Sequence, residues 1–345
     1  MSASSSQTHL PLTTQVGGHP GVLTTEDGVL LIKRALPREV AFYQSVSSDP
    51  ALAQLYNFIP EFYGTLKLEG RLEHGTSITD PNAIKPNLSY TFSKPNVLDV
   101  KLGTVLYDED ASPEKRARME QVARETTSAE TGLRLTGFQV YDLTSDKPVV
   151  APKSYGKSIK AADLPEGIAR FFPLAESPAQ GGSSVSSSSA DETTVPPTGT
   201  GLLMNILEPL LSGIREEVGD LTDAFSGVDM RMVGGSLLIV YEADWERARE
   251  GLRLLQEQAE EGYQSDNEDE EGEEEDEEDE EGEDSGELEG AHVTKPVGPP
   301  FVVRLIDFAH TRMAPGQGPD EGVLQGLRTV LRLLDGRLDQ LRRAA

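Results

Sequence analysis

Apolar positions along the chain alternate between two periods, and the switches between them outline the elements. After a turn at Glu26-Asp27-Gly28, the run Gly28 to Arg34 (GVLLIKR) predicts a short buried strand. Beyond Pro37 the positions Val40, Phe42, Tyr43 and Val46 take helical spacing. Extended structure resumes from Pro60 to Lys67, and Val97 to Leu102 (VLDVKL) predicts a buried strand ending at Gly103. Ser112 to Glu130 is charged and helical, with Ser112 as N-cap and Pro113 at the first helical position. Gly137 to Leu143 (GFQVYDL) reads as another strand.

Ser177 to Gly201 is Ser, Gly, Thr and Pro, a linker or surface loop. Gly201 to Val218 predicts an apolar-faced helix, and Gly234 to Tyr241 (GGSLLIVY) is the strongest strand in the chain. Trp245 to Glu260 is a charged helix, and Phe301 to Phe308 (FVVRLIDF) a second core strand. The last helix, Glu321 to Leu341, sets Leu324, Leu327, Leu331, Leu334, Leu338 and Leu341 along one face. Strands first and helices later, at hairpin-like spacing, favour an α+β fold over a doubly wound sheet.

With 345 residues, 37% of them hydrophobic, the chain can build one large domain or two lobes. It has no cysteine, which excludes disulfides, thiol catalysis and Cys-based metal sites. The five histidines are scattered, so no zinc site is predicted. No apolar run approaches the ~18–20 residues that span a bilayer. Residues 1–15 are Ser/Thr-rich, lack a basic start and are expected to form a disordered tail rather than a signal peptide.

The net charge of −28 is hostile to a polyanionic ligand only until it is mapped. Asp266 to Glu289 holds 18 carboxylates and no basic residue, a run that repels itself and stays solvated. Without it the chain is at −10, with basic residues clustered in places. A disordered acidic insertion is therefore expected over 262–296. It is either a tolerated insertion or a binding arm for basic nuclear or transcription proteins, and the second reading makes the chain a scaffold.

Among phosphate-binding patterns, G-x-G-x-x-G is absent. Ala151 to Ser158 (APKSYGKS) ends like a P-loop but lacks its first glycine, leaving a basic loop. Single polar residues inside apolar strands are more informative. Lys33 follows Val29-Leu30-Leu31-Ile32 and is either a snorkelling edge residue or a charge aimed at a phosphate. Glu39, on the next helix, is placed to hold it. Asp307, between Ile306 and Phe308, is costly there unless paired or bound to a cation. Asp99 and Lys101 share a face of one strand, as a structural ion pair or as a pair that orients a hydroxyl and neutralises a phosphate.

Together these residues resemble a family. Pro95-Asn96-Val97-Leu98-Asp99-Val100-Lys101-Leu102-Gly103 reads P-x-x-x-D-x-K-x-G, the motif of the inositol polyphosphate kinases. Ser236-Leu237-Leu238 resembles that family's S-L-L and Ile306-Asp307-Phe308 its I-D-F, in the right order. The blocks Arg38 to Tyr43 and Phe58 to Gly64 are also similar, so the resemblance runs from about Gln15 to the last helix, outside the linker and the acidic tract. Within the family, the compact length and the block Glu114 to Tyr141 look most like the fungal multikinases. The hexakisphosphate kinases share the same three motifs.

The resemblance implies a two-lobed, protein-kinase-like α+β fold, with an N-lobe of about 16–92, a C-lobe of about 93–345 and the loop 177–200 outside the core. It implies ATP and Mg2+ as cofactors and stepwise phosphorylation of inositol 1,4,5-trisphosphate to the tetrakis- and pentakisphosphates. Lys33 would contact the ATP phosphates with Glu39 as its partner, and Asp307 would ligate magnesium with Ser236 beside it. Asp99 would orient the attacking hydroxyl or accept its proton, and Lys101 would bind a substrate phosphate. At the adenine hinge, where relatives often carry an acidic residue, Pro86 offers a carbonyl and Leu88 an N–H. Lys115, Arg118, Arg134, Lys157 and Lys160 are further candidates for the substrate phosphates. Phosphoinositide lipid headgroups are a possible second substrate class. A monomer in the nucleus or cytoplasm, without direct nucleic-acid binding, completes the expectation.

Overall fold

The computed structural model describes residues 10–12, 16, 21–66, 82–175, 200–268 and 297–344, with side chains described to 261 in the fourth segment. Most of the loop 177–200 and the acidic run beyond Glu268 lie outside the described residues.

Among the described residues twelve strands, in chain order, form three antiparallel sheets: β1 Leu10–Pro11, β2 Leu23–Thr24, β3 Leu30–Arg34, β4 Gly64–Leu66, β5 Asn82–Pro86, β6 Pro95–Leu102, β7 Leu133–Asp142, β8 Lys147–Ala151, β9 Met230–Val233, β10 Ser236–Glu242, β11 Phe301–Ile306 and β12 His310–Met313. The N-lobe sheet has the order β1-β2-β3-β5-β4, the C-lobe sheet β11-β10-β6-β7-β8, and β9 pairs with β12. Eight α-helices accompany them: α1 Pro37–Val46, α2 Pro113–Glu125, α3 Ser128–Thr131, α4 Tyr155–Ser158, α5 Leu164–Phe171, α6 Met204–Ser226, α7 Trp245–Glu268 and α8 Glu321–Ala344. The architecture is the two-lobed α+β fold that the motifs imply, with residues 87–94 joining β5 of one lobe to β6 of the other.

Strand alternation divides the C-lobe sheet into two unlike faces. Leu98, Val100 and Leu102, with Leu237, Ile239 and Tyr241 of β10 and Val303 and Leu305 of β11, are buried in the main core. That core also takes the buried stripes of α6 (Ile206, Leu210, Ile214, Val218) and α8. Burying a leucine or isoleucine contributes about 1.5–3 kcal/mol, so this face dominates the stability of the lobe. The opposite face holds the intervening residues, Asp99 and Lys101 among them.

Several elements depart from the sequence pattern for identifiable reasons. Leu10 and Pro11, expected in a disordered tail, form an edge strand paired with Thr24 and Leu23. The helix expected to reach Glu130 ends at Glu125. There the Thr126 hydroxyl donates to the Val122 carbonyl and the Thr127 hydroxyl to the Leu133 carbonyl, competing with the helix ladder. The helix predicted to stop at Val218 continues to Ser226 because Leu221, Thr222 and Phe225 extend its buried stripe. Helix α7 runs to Glu268, seven residues into the stretch expected as a disordered insertion. In α8 Val330 takes the place in the buried stripe that was expected of Leu331, which is half-buried.

Candidate active site

The cleft face of the C-lobe sheet is built by register. Ser236 of β10 lies opposite Lys101 of β6, and Leu238 opposite Asp99, so Asp99, Lys101 and Ser236 project from one face of neighbouring strands. Ile306 of β11 pairs with Ser236 on the other side. The next residue, Asp307, has φ 69°, a left-handed conformation that aspartate tolerates better than most side chains. This kink ends the strand and turns the carboxylate toward the N-lobe. Phe308 then anchors the turn, stacked on Phe42 at 4.4 Å between ring centres and edge-on to Tyr43 at 5.4 Å.

Asp99 is 4% exposed, and its Oδ1 has no hydrogen-bond partner among the described residues. Burial pushes its carboxyl up to about 6, against the pull of the Lys101 ammonium and with a further push from Asp307. Ser236 is fully buried with its hydroxyl also unpartnered, close enough to lower the Asp99 pKa without reaching hydrogen-bond geometry. Two buried oxygens without partners cost about 1–3 kcal/mol each, a cost a packed sheet does not normally retain. Lys101 donates to the Gly234 carbonyl at 2.6 Å. Arg134 pairs with Lys101 across β7 and lies near enough to Asp99 to feel its charge. Burial depresses the guanidinium and Asp99 partly offsets this.

The N-lobe answers with a charge cluster. Lys33 of β3 donates to Asp307 and lies 3.6 Å from Glu39 of α1. Burial would hold the Lys33 ammonium down, but Asp307 and then Glu39 raise it. Burial likewise favours a raised Asp307 carboxyl, yet Lys33 brings it below the usual range, so it is ionised at neutral pH. Glu39 is 1% exposed. Helix α1 therefore turns a glutamate inward and leaves Val40 half-buried, a departure from its apolar spacing. A second lysine shares that carboxylate: Lys85 of β5 donates to Glu39 at 3.1 Å, with its Nζ 3.7 Å from the centre of the Tyr43 ring.

The interlobe connection contributes two features. Asn87 N–H donates to the Val29 carbonyl on one edge of β5, and the Ile84 carbonyl accepts from Tyr63 on the other. By alternation the Pro86 carbonyl points to the Tyr63 edge, where β4 has already ended. A cleft of about 470 Å3 lies at the connection, lined by Pro86 and Leu88 with Tyr43, Phe62, Tyr63 and Arg304. At the far end of the connection, the buried Glu242 accepts from Ser93 N–H at 2.6 Å, Lys94 N–H at 2.9 Å and Asp244 N–H at 2.9 Å. The strand that carries Ser236 at its start thus grips the hinge at its end.

The remaining sequence-predicted cations are not gathered in one place. Ser112 caps α2 as expected, accepting from Lys115 N–H at 3.3 Å. The Lys115 side chain turns toward Asp108, at 4.0 Å. Arg118 is exposed one turn further on. Lys160 donates at 3.2 Å to the Glu125 carbonyl at the other end of α2, about 15 Å away at 1.5 Å per residue. Lys157 is exposed on α4. In that basic loop Gly156 serves packing, since a Cβ there would lie 1.6 Å from the Leu135 carbonyl oxygen of β7.

Sequence reasoning passed over three participants. Lys85 sits in Asn82–Pro86 (NAIKP) with the signal that drew attention to Lys33, a lysine inside an apolar strand. Glu242 closes the strongest strand with a charge, which pattern alone reads as its end. The third is Asp108, whose carboxylate lies 2.7 Å from the His310 Nδ1. Asp108 also faces Lys115, so the loop after β6 ties β12 to α2.

Two lobes joined by a short hinge, a lysine–glutamate pair in the small lobe and facing aspartates in the large one define a kinase-like phosphotransferase. Comparison with known proteins agrees. The inositol polyphosphate kinase family model matches residues 85–194 and 201–335. An inositol polyphosphate multikinase of Saccharomyces cerevisiae is 32% identical over 92% of this chain and 95% of its own length. A human inositol hexakisphosphate kinase 2 is 28% identical over 71% of this chain and 49% of its own. A solved structure of a Saccharomyces cerevisiae inositol phosphate multikinase, in complex with ADP and Mn2+, shares the fold with a TM-score of 0.58. It covers 90% of this chain and all of that one, at 24% identity. The chain belongs to the inositol polyphosphate kinase family.

Proposed function

We propose that the protein is an ATP-dependent inositol polyphosphate multikinase that phosphorylates inositol 1,4,5-trisphosphate stepwise to the tetrakis- and pentakisphosphates. The observation that carries this reading is the buried carboxylate of Asp99, whose Oδ1 has no partner among the described residues, set among Lys101, Arg134 and the Lys33–Asp307 pair. The inositol hydroxyl donates to Asp99, which is ionised at neutral pH. The hydroxyl oxygen bonds to the γ-phosphorus as the bond from that phosphorus to the bridging oxygen breaks, releasing ADP. Lys33 neutralises the ATP phosphates, and Lys101 with Arg134 receives the substrate phosphates nearest the reacting hydroxyl.

The oxygen donors Asp307 and Ser236 fit a hard divalent cation, and the orphaned Ser236 hydroxyl is what such an ion would satisfy. Bound with ATP, magnesium would supply charge neutralisation at the transferring phosphate. Among the described residues no cluster of three or more His, Asp or Glu forms a separate cage, as suits an ion held largely by nucleotide phosphates. The Pro86 carbonyl and Leu88 N–H are assigned to the adenine edge, on the strength of the cleft they line. Lys115 and Arg118 are assigned to the outer substrate phosphates, with Lys157 and Lys160 more remote.

The same proposal includes phosphoinositide headgroups as a second acceptor class, a monomer in the nucleus or cytoplasm, and no direct nucleic-acid binding. Among the described residues no helix is long and apolar enough to cross a membrane. A scaffold role for the acidic tract falls largely outside the described residues and is a separate proposal. The multikinase reading is tested with Mg-ATP and, separately, inositol tris-, tetrakis- and hexakisphosphate, using Asp99→Asn and Asp307→Asn as controls. Conversion of the trisphosphate to the pentakisphosphate, lost in both variants, is the expected result. Turnover of the hexakisphosphate alone would instead make it a hexakisphosphate kinase.

A further inference from the structure

We propose that Lys85 is a positioning residue for the nucleotide phosphates, holding Glu39 as its own counter-ion so that the charge of Lys33 is free for ATP. This rests on the assignment of Lys33 to those phosphates.

Four ionisable side chains meet between β3, β5, α1 and the Asp307 turn. Two are lysines, Lys33 and Lys85, and two are carboxylates, Glu39 and Asp307, so the ionised cluster is neutral. Both lysines address the same oxygen of Glu39, Lys85 at 3.1 Å and Lys33 at 3.6 Å. The shorter contact belongs to the lysine that is farther from the cleft. The Lys85 side chain is 11% exposed against 30% for Lys33.

Register explains why two lysines can share one acid. Lys85 stands opposite Leu31 and Lys33 opposite Ala83, so the two lysines are diagonal neighbours on one face of the N-lobe sheet, the face that α1 covers. The Tyr43 ring, one turn beyond Glu39 on the same helix, covers the Lys85 ammonium at 3.7 Å. Lys85 is therefore fixed by α1 alone, through a carboxylate and a ring, and has no described contact with Asp307. Lys33 is bonded across the cleft to the C-lobe.

Consider nucleotide binding with and without the second lysine. When Asp307 turns to a divalent cation and Lys33 to the phosphates, Glu39 must share its cleft-side partner with them. A carboxylate that is 1% exposed cannot be left unpaired cheaply. With Lys85 in place, Glu39 keeps a buried counter-ion of its own and Lys33 serves the phosphates without that penalty. Without Lys85, one lysine must serve two buried carboxylates, and ATP competes with Glu39 for it. Burial lowers the Lys85 pKa to about 8 against the pull of Glu39, so the side chain is still mostly charged at pH 7.

The test is steady-state kinetics on the full chain with Mg-ATP and inositol 1,4,5-trisphosphate. Lys85→Met should raise the KM for ATP roughly ten-fold, with kcat and the KM for the inositol phosphate within about three-fold. Lys85→Arg, which keeps the charge, should stay within about two-fold of the parent. In a Glu39→Gln background Lys85→Met should change the ATP KM by less than about two-fold, because the carboxylate that competes with ATP for Lys33 is then gone. An ATP KM unchanged in Lys85→Met, or raised equally in both backgrounds, would overturn the proposal and leave Lys85 a packing residue. Should Lys85→Met fail to fold, the comparison of Glu39→Gln with the double variant decides it: a difference in ATP KM beyond about two-fold overturns it. Lys33→Met separates the underlying assignment, since an ATP KM unmoved there would refute the role of Lys33 itself.

Discussion

The two faces of the C-lobe sheet come from the same strands and are almost equally buried, yet they do opposite work. On the core face Leu98, Val100, Leu102, Leu237 and Ile239 are no more than 1% exposed and fill the space between sheet and helices. On the cleft face Asp99 and Ser236 are 4% and 0% exposed, and the Asp99 Oδ1 and the Ser236 Oγ lack partners among the described residues. Alternate residues of one strand thus separate stability from chemistry. A core-face substitution should therefore cost stability and leave the chemistry of the cleft face nearly untouched.

The largest expected effect is at Asp99. Asp99→Asn removes the proton acceptor and should lower kcat by about 10^2–10^4. It should also stabilise the fold. The Asp99 pKa is raised from 3.8 to about 6 by burial, so the folded state binds the proton more tightly than the unfolded chain. The destabilisation grows as pH rises from 3.8 to about 6 and is fully present above that. Two pKa units correspond to about 3 kcal/mol as an upper limit, which the neutral amide relieves. Thermal unfolding at pH 7.5 should show a Tm a few degrees above the parent, and a lowered Tm would contradict the strained carboxylate. In the parent enzyme, kcat should fall about ten-fold per unit as pH drops below about 6, as Asp99 protonates.

The opposite face supplies the converse. Leu98→Ala, one position away, should cost about 2–5 kcal/mol in denaturant unfolding through the cavity it leaves. The KM values of the folded fraction should not move. A rise in either KM would mean that the core face transmits its packing to the cleft, and the division between faces would fail.

How much of this division was legible depended on the kind of signal. Asp99, Lys101 and Asp307 stood out because each breaks an apolar strand, and alternation placed the first two on a common face without any coordinates. Asp307's role as the point where the lobes meet was not legible, because a left-handed φ after a six-residue strand leaves no pattern in Phe301 to Phe308. Glu39 was readable only as a possible partner of Lys33. Its burial inverts the helical spacing that Val40 suggested. Lys85 and Glu242 have partners 46 and about 150 residues away, so only the folded chain reveals what their charges answer. The basic residues after β6 form a cluster in sequence but divide between the two ends of α2 in space.

A smaller effect tests whether the cleft face is organised for a ligand rather than for folding. The Ser236 hydroxyl is buried without a partner among the described residues, so Ser236→Ala removes an unsatisfied group and should raise stability by about 1–3 kcal/mol. If the hydroxyl serves the bound nucleotide and its ion, kcat should drop about ten-fold, the equivalent of one hydrogen bond to a charged group. Unchanged kinetics would make the hydroxyl a passive feature of the sheet.

The smallest effect lies at the two ends of α2, outside the sheet. Lys115 is in the first turn, near Asp108, which is itself joined to His310 three residues beyond Asp307. Lys160 meets the last carbonyls of the same helix, where a cation is favoured by the helix dipole. Lys115→Ala should raise the KM for the inositol phosphate about three- to ten-fold, as loss of one solvated phosphate contact would. Lys160→Ala should cost about 0.3–1 kcal/mol of stability and leave that KM within about two-fold. If instead Lys160→Ala moved the KM and Lys115→Ala did not, the substrate would lie toward the C-terminal end of α2. Lys101 and Arg134 would then mark the near edge of a much longer phosphate track.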